Sequence, residues 1–161
     1  MDDNLKDRVA LGHSMVERHI VFFEESFGHV TSQWKYDGSR VTEADLALSK
    51  AFEADLSERF PEDLFLSEEL DSEGGVIDID SEFAWLVDPI DGTNNFARGI
   101  PACSISVALL KGGVPVYGFL YDQMSRKIIH GGKGYGVWVG DREVSFRNEK
   151  PDRHSIVGAQ H

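Results

Sequence analysis

Cysteine is nearly absent from this chain. Cys103 stands alone among 161 residues, so no internal disulfide can form, and a lone thiol fits a reducing cytoplasm. Long apolar runs are missing as well. No stretch approaches the roughly 18 residues that a membrane-spanning helix needs. The opening Met1-Asp2-Asp3-Asn4 has no basic segment leading into an apolar one, so no secretory leader is read there. Cations are scarce, with 16 Lys and Arg against 28 Asp and Glu and a net charge of −12. That balance argues against a nucleic-acid partner gripped through its phosphates. The histidines (His13, His19, His29, His130, His154 and His161) show no zinc spacing and are read as structural or exposed. Gly131-Gly132-Lys133-Gly134 lacks the spacing and the strand-to-helix setting of a nucleotide loop, so hairpin glycines are the better reading.

What remains is ordinary globular material, 41% apolar and 27% charged, enough for one domain with a real core. Leu5, Val9, Val16, Ile20, Phe23 and Phe27 recur near helical spacing. They predict a helix over 3–27, capped by Asp2 or Asp3 and closed by Gly28. A short strand with a turn at Asp37-Gly38-Ser39 follows over 30–41. A second helix is predicted from Glu43 to Phe60, with Ala44, Leu48, Ala51, Phe52, Leu56 and Phe60 inward and Pro61 as the stop. Leu64–Leu66 reads as a strand ending at Ser67-Glu68-Glu69, 70–82 as a mobile acidic loop, and Phe83–Val87 as a strand that runs into Asp88. The second half is β-rich over 105–111, 114–121, 127–131 and 136–139, with Gly112-Gly113 as a hairpin turn. Two helices on one face of a largely antiparallel sheet make an α+β architecture. Polar residues 148–154 give way to Ser155–Ala159, which reads as a new strand. Residues 1–150 are therefore expected to form one domain, and 151–161 to begin a second that is absent.

The acid is unevenly placed. Of the 28 carboxylates, 16 lie between Glu43 and Asp91, against only Lys50 and Arg59. Most belong to a solvated face, but those beside apolar strands need a cation or a hydrogen-bond partner. In Asp88-Pro89-Ile90-Asp91-Gly92-Thr93 a strand delivers Asp88, with Asp91 close enough to share a metal cluster. The bend at Pro89 can aim the Ile90 carbonyl at the same cluster. Gly92 permits close approach of a ligand. Thr93 opens a short helix to about Phe96, whose first amides can cradle a phosphate. Carboxylates for cations beside amides for an anion suit Mg²⁺-assisted phosphate chemistry. Alone, Asp-Gly-Thr would be a plain turn with a helix cap; the full string after an apolar strand is harder to read that way. Glu68-Glu69 is a solvated pair in isolation, but if its strand ends beside Phe83–Val87, Glu68 and Asp88 can bind one metal. Thr42-Glu43-Ala44-Asp45 has the form of a capping box, and capping alone would explain it. Its carboxylate could also face a metal-bound water, so both readings stand. Cys103 has no visible catalytic base and reads as a small core residue.

Glu68-Glu69 and, twenty residues on, Asp88-Pro-Ile-Asp-Gly-Thr93 resemble the inositol monophosphatase family. The block Lys35-Tyr-Asp-Gly-Ser-Arg-Val-Thr-Glu-Ala-Asp45 is similar to the family's upstream block. Asn94-Asn95-Phe96, Gly99-Ile-Pro101 and Val116-Tyr-Gly-Phe-Leu-Tyr-Asp122 match as well. The resemblance implies the first half of a layered α/β/α/β/α fold with two or three Mg²⁺ ions. It implies that Glu68, Asp88 and the Ile90 carbonyl hold the first ion, and Asp88 and Asp91 the second. Glu68, with Asp45 through water, would hold a third. Asp45, Thr93 and Glu68 would be catalytic, with Asp45 and Thr93 activating water. Ile90, Asp91, Gly92 and Thr93 would line the substrate site, the Gly92 and Thr93 amides holding phosphate. It also implies a later Trp-Asp block that completes the second metal site and lies outside this sequence, so the chain alone is expected to be incomplete. The expected function is Mg²⁺-dependent hydrolysis of a small polyol or alcohol phosphate, such as inositol 1-phosphate or histidinol phosphate, with no covalent phosphoenzyme. A nucleotide or sugar bisphosphate phosphatase, or a non-catalytic metal- or partner-binding module, is the alternative. The expected partner is a small phosphorylated substrate, with no membrane and, by family analogy, a homodimer.

Overall fold

In the computed structural model, which describes residues 1–34, 40–70 and 79–145, helix α1 (Asp3–Ser26) starts at Asp2, whose carboxylate accepts the Leu5 amide at 2.7 Å. Strands β1 (Ser32–Trp34) and β2 (Arg40–Thr42) pair antiparallel. Lys35 and the expected turn at 37–39 lie outside the described residues. Helix α2 (Glu43–Arg59) begins on a reciprocal capping box. The Thr42 hydroxyl accepts the Ala44 and Asp45 amides, while the Asp45 carboxylate accepts the Thr42 amide at 2.7 Å. The helix ends one residue earlier than its spacing predicts, and Phe60 serves as its C-cap. Ala44, Leu48, Phe52 and Leu56 are buried, whereas Ala51 and Phe60, also expected inward, are half-buried.

A seven-stranded sheet follows in chain order: β3 (Leu64–Ser67), β4 (Phe83–Asp91), β5 (Ser104–Lys111), β6 (Val114–Asp122), β7 (Lys127–Gly132), β8 (Gly136–Val139) and β9 (Arg142–Glu143). Every neighbouring pair is antiparallel except β3 and β4, which run parallel. This is the expected α+β arrangement, and the short helix expected to open at Thr93 is α3 (Thr93–Ala97). Gly112 and Gly113 turn the β5–β6 hairpin with φ of 56° and 74°, as a type I′ turn requires. Among the described residues no helix is long and apolar enough to cross a membrane.

Two details depart from expectation. Strand β9 has no signal in the sequence beyond a short polar pair. Strand β4 does not stop at Val87 but continues through Pro89 to Asp91. Its register against β5 shifts there, since Asp88 faces Ser106 and Asp91 faces Ser104. Three steps on β4 thus match two on β5. A bulge of this kind tolerates a proline, which has no N–H to give the ladder. Residues 71–78 of the expected loop, and 151–161 of the expected second domain, lie outside the described residues.

The helices cover one face of the sheet. α1 lies against β5, β6 and β7, and α2 against β3 and β4. Trp85, Val87, Ile105, Leu109, Phe119 and Tyr121 are buried beneath them. The period-2 alternation explains this, since each is an every-second residue of its strand. α1 approaches most closely at Gly12, where an added Cβ would lie 2.5 Å from the Phe119 ring and 3.0 Å from Trp85. Gly12→Ala should therefore destabilise by about 1–3 kcal/mol in a urea melt, the usual cost of overpacking. Helix propensity alone would give a gain of about 1 kcal/mol. A stabilised variant would show that α1 can lift away from the sheet.

Candidate active site

The parallel pairing of β3 and β4 sets the site. Ser67 lies opposite Val87, so the next residues, Glu68 and Asp88, emerge side by side. The Glu68 amide donates to the Val87 carbonyl at 3.2 Å, which closes the strand ends together. Asp88 is half-buried and Glu68 exposed. Burial, then the charge of Glu68 and a hydrogen bond with it, then the charge of Asp91, push the Asp88 carboxyl up to about 8. The Ile90 amide, donating to Asp88 Oδ1 at 3.2 Å, works in the opposite direction. Without a cation Asp88 is therefore favoured in its protonated form near neutrality.

A second pair faces β4 from α2. Asp45 is 1% exposed and accepts from the Thr42 hydroxyl at 2.5 Å as well as from the Thr42 amide. The Thr93 hydroxyl lies 3.3 Å from Asp45 Oδ1 and 3.1 Å from the Ile90 carbonyl, and donates to them. Burial raises the Asp45 carboxyl, while its Thr42 and Thr93 hydrogen bonds pull the other way. The capping box is thus present, and the same carboxylate is also bonded to Thr93. Asp91 is exposed and accepts from the Ser104 hydroxyl at 3.4 Å.

Gly92 begins α3 with φ of 84°, and an added Cβ there would lie 2.8 Å from the Ala102 carbonyl. What presses on Gly92 is the chain's own backbone, where the sequence suggested a ligand. Asn95 holds that backbone in place, its side-chain amide donating to the Ala102 carbonyl at 2.9 Å. No side chain caps the first turn of α3. A cleft of about 290 Å³ opens beside this junction, lined by Asp91, Gly92, Asn95, Cys103, Ser104 and Asp122. Cys103 is 6% exposed, and burial, with the charges of Asp122 and Asp91, pushes its thiol up to about 11. It is neutral at physiological pH and unsuited to act as a nucleophile.

The fold therefore joins Glu68 to Asp88, and Thr93 to both Asp45 and the Ile90 carbonyl. Among the described residues no three His, Cys, Asp or Glu side chains converge on a point where they could hold a metal alone. The donor set is nevertheless all oxygen and crowded with negative charge. Mg²⁺ suits such a set, because it takes one or two carboxylates and fills its remaining positions with water and phosphate. Sequence reasoning did not find Ser104 as the partner of Asp91, or Asn95 as the clamp on Ala102. Both depend on β4–β5 register and on the fold of the α3–β5 connection, which leave no local signal.

The profile of the inositol monophosphatase family matches residues 14–160. Inositol monophosphatase 1 of Solanum lycopersicum is 30% identical over 132 residues, covering 82% of this chain and 48% of that one. Inositol-1-monophosphatase of Mesorhizobium japonicum is 36% identical over 124 residues, covering 77% and 46%. Fructose-1,6-bisphosphatase/inositol-1-monophosphatase of Aquifex aeolicus is 29% identical over 137 residues, covering 83% and 50%. The chain thus spans about half the length of these relatives. Among solved structures, staphylococcal inositol monophosphatase-1 superposes with a TM-score of 0.79 at 23% identity, covering 93% of this chain and 56% of that one. An IMPase/NADP phosphatase complexed with Mg²⁺ and phosphate gives 0.75 at 23% identity, covering 88% and 53%. At that identity the likeness is one of fold.

Proposed function

This chain belongs to the inositol monophosphatase family, and from that premise we propose that residues 1–150 supply the metal- and phosphate-binding half of a Mg²⁺-dependent phosphomonoesterase. The observation that carries the reading is the Glu68–Asp88 pair at the parallel ends of β3 and β4, with the Asp45–Thr93 pair tied to the same strand at the Ile90 carbonyl. The net charge of −12 supports it too, because a phosphate dianion has no reason to approach this surface without cations. Two or three Mg²⁺ ions bound here would neutralise phosphoryl charge and lower the pKa of water.

The chain's own groups have the following tasks. Glu68, Asp88 and the Ile90 carbonyl would hold the first ion, Asp88 and Asp91 the second, and Glu68 with Asp45, through water, a third. The Thr93 hydroxyl accepts a hydrogen bond from the attacking water while donating its own proton toward Asp45 Oδ1. Asp45, raised by burial, is suited to receive that proton. The Gly92 and Thr93 amides hold the phosphate beside the cleft. The neutral Cys103 thiol takes no part as a nucleophile, and metal-activated water attacks without a covalent phosphoenzyme, as membership of the family suggests. The substrate is a small polyol or alcohol phosphate, in a cytoplasmic setting that suits the free thiol. A sugar bisphosphate is the second reading, favoured by relatives described as fructose-1,6-bisphosphatases in Aquifex aeolicus and Pyrococcus furiosus.

Phosphate release from inositol 1-phosphate, histidinol phosphate, fructose 1,6-bisphosphate and a nucleotide bisphosphate tests this. The chain is assayed with Mg²⁺ alone and after fusion to the carboxy-terminal half of a full-length relative. Turnover in the fused form, lost on chelation, is the expected result. No release in either form despite bound Mg²⁺ would leave a metal-binding module and sink the phosphatase reading.

A further inference from the structure

Ser49 and Ser67 are buried hydroxyls with no task in the reaction as read above. They are 0% and 1% exposed, and their Oγ atoms lie 2.8 Å apart. Ser49 follows Asp45 by one helical turn on α2, so both polar groups share one side of an otherwise apolar inner face. Asp45 reaches forward to Thr93 at the β4–α3 junction. Ser49 reaches to Ser67, the last residue of β3. Ser67 in turn shapes the turn that bears the acidic pair. Its Oγ accepts the Glu69 amide at 3.4 Å, and its carbonyl accepts the Leu70 amide at 3.2 Å. The Glu68 amide, between them, is tied to the Val87 carbonyl at 3.2 Å.

We propose that Ser49 is a positioning residue, which through Ser67 fixes the Glu68-Glu69 turn and hence the distance of Glu68 from Asp88. The proposal rests on reading Glu68 and Asp88 as metal ligands. Its consequence is that α2 frames both sides of the site. One turn of the helix places the Asp45–Thr93 pair and the next sets the Glu68 side, so the two cannot drift apart independently. A buried hydroxyl pair is costly to keep unless it is satisfied, and an apolar residue at 49 would extend the α2 core without that cost. A tether to the turn accounts for a serine at that position.

Ser49→Ala, Ser67→Ala and the double variant test the tether, read by amide hydrogen exchange in metal-free protein and by Mg²⁺ titration. Exchange at the Glu68 and Glu69 amides should accelerate about fivefold in Ser49→Ala, the worth of one net hydrogen bond, and further at Glu69 in Ser67→Ala, which also removes that amide's acceptor, while α1 amides stay unchanged. Mg²⁺ affinity should fall about tenfold, the low end for outer-shell partners of a metal site. The double variant should be no worse than Ser67→Ala, because that change already removes the Ser49–Ser67 bond. A purely structural role would lower the melting temperature and leave Mg²⁺ affinity intact in the folded protein, which overturns the proposal. Unchanged exchange at Glu68 and Glu69 overturns the tether whatever the metal does. If the unsubstituted chain binds no Mg²⁺, the ligand reading beneath the proposal fails, and exchange then decides the tether by itself.

Discussion

Asp88→Asn is expected to abolish Mg²⁺ binding and, in the same protein, to raise the melting temperature of the metal-free form. Both effects come from one cause. Asp88 is crowded by Glu68 and Asp91 and partly withdrawn from water, which pushes its carboxyl up to about 8. In the unfolded chain the same carboxyl titrates near 3.9. Between those values the native state holds a proton that the unfolded state has released, so metal-free stability falls as pH rises through that window. An amide has the shape of the protonated acid and never ionises, so Asp88→Asn removes the penalty. At pH 9 the gain should be about 1–3 kcal/mol, allowing for solvent at a half-buried carboxylate. The metal sees the opposite. Proton and Mg²⁺ compete for Asp88, so affinity in the parent should drop about tenfold per pH unit below 8 and level off above it. Calorimetric Mg²⁺ titrations at several pH values, beside thermal melts in chelator, read both arms. Unchanged affinity in Asp88→Asn would refute the ligand role. An unchanged melting temperature at pH 9 would show that Glu68 and Asp88 do not repel in the metal-free fold.

This coupling explains which parts of the site were legible in the sequence. The string from Asp88 to Thr93 carries its own geometry, since a strand, a proline, a glycine and a helix start specify local backbone with little help from elsewhere. The α1 and α2 boundaries were legible for the same reason: caps and periodicity are local. Pro89 misled, because a proline ordinarily marks a strand's end, whereas here a shifted register against β5 absorbs it inside β4. The meeting of Glu68 and Asp88 could only be supposed from two strands followed by acid. It requires β3 and β4 to be parallel and in register, a fact about pairing across an intervening loop. Ser49, Ser67 and Ser104 had no signal at all. A serine on a helix face or strand is ordinary until the fold buries it against a partner far along the chain.

Asp63→Ala should cost more stability than any other single change described for this protein, about 3–5 kcal/mol, and should leave Mg²⁺ affinity unchanged. Asp63 and Arg8 are both buried, with side chains 1% and 3% exposed. The guanidinium grips the carboxylate with two bonds, at 2.8 Å to Oδ2 and 2.6 Å to Oδ1. It is stacked between Phe60 and Phe83, 4.1 and 4.0 Å from their centroids, and bonded to Asn4. The Trp85 indole donates to Asp63 Oδ2 at 2.9 Å. Alanine at 63 therefore leaves the buried cation with only Asn4 and a 3.5 Å contact to the exposed Glu62, and strands the indole N–H, and against a typical total of about 5–15 kcal/mol that loss is severe. The cost lies in the uncompensated charge, so Arg8→Met combined with Asp63→Leu should recover much of it by leaving no charge behind. Urea melts of the two single variants and the double separate these terms. The site should not register the change, because the network ties α1 to the start of β4 while Asp88 and Asp91 occupy its far end. Mg²⁺ titration below the melting range checks that. A double variant as unstable as Asp63→Ala would mean that packing, and not charge, holds α1 to the sheet.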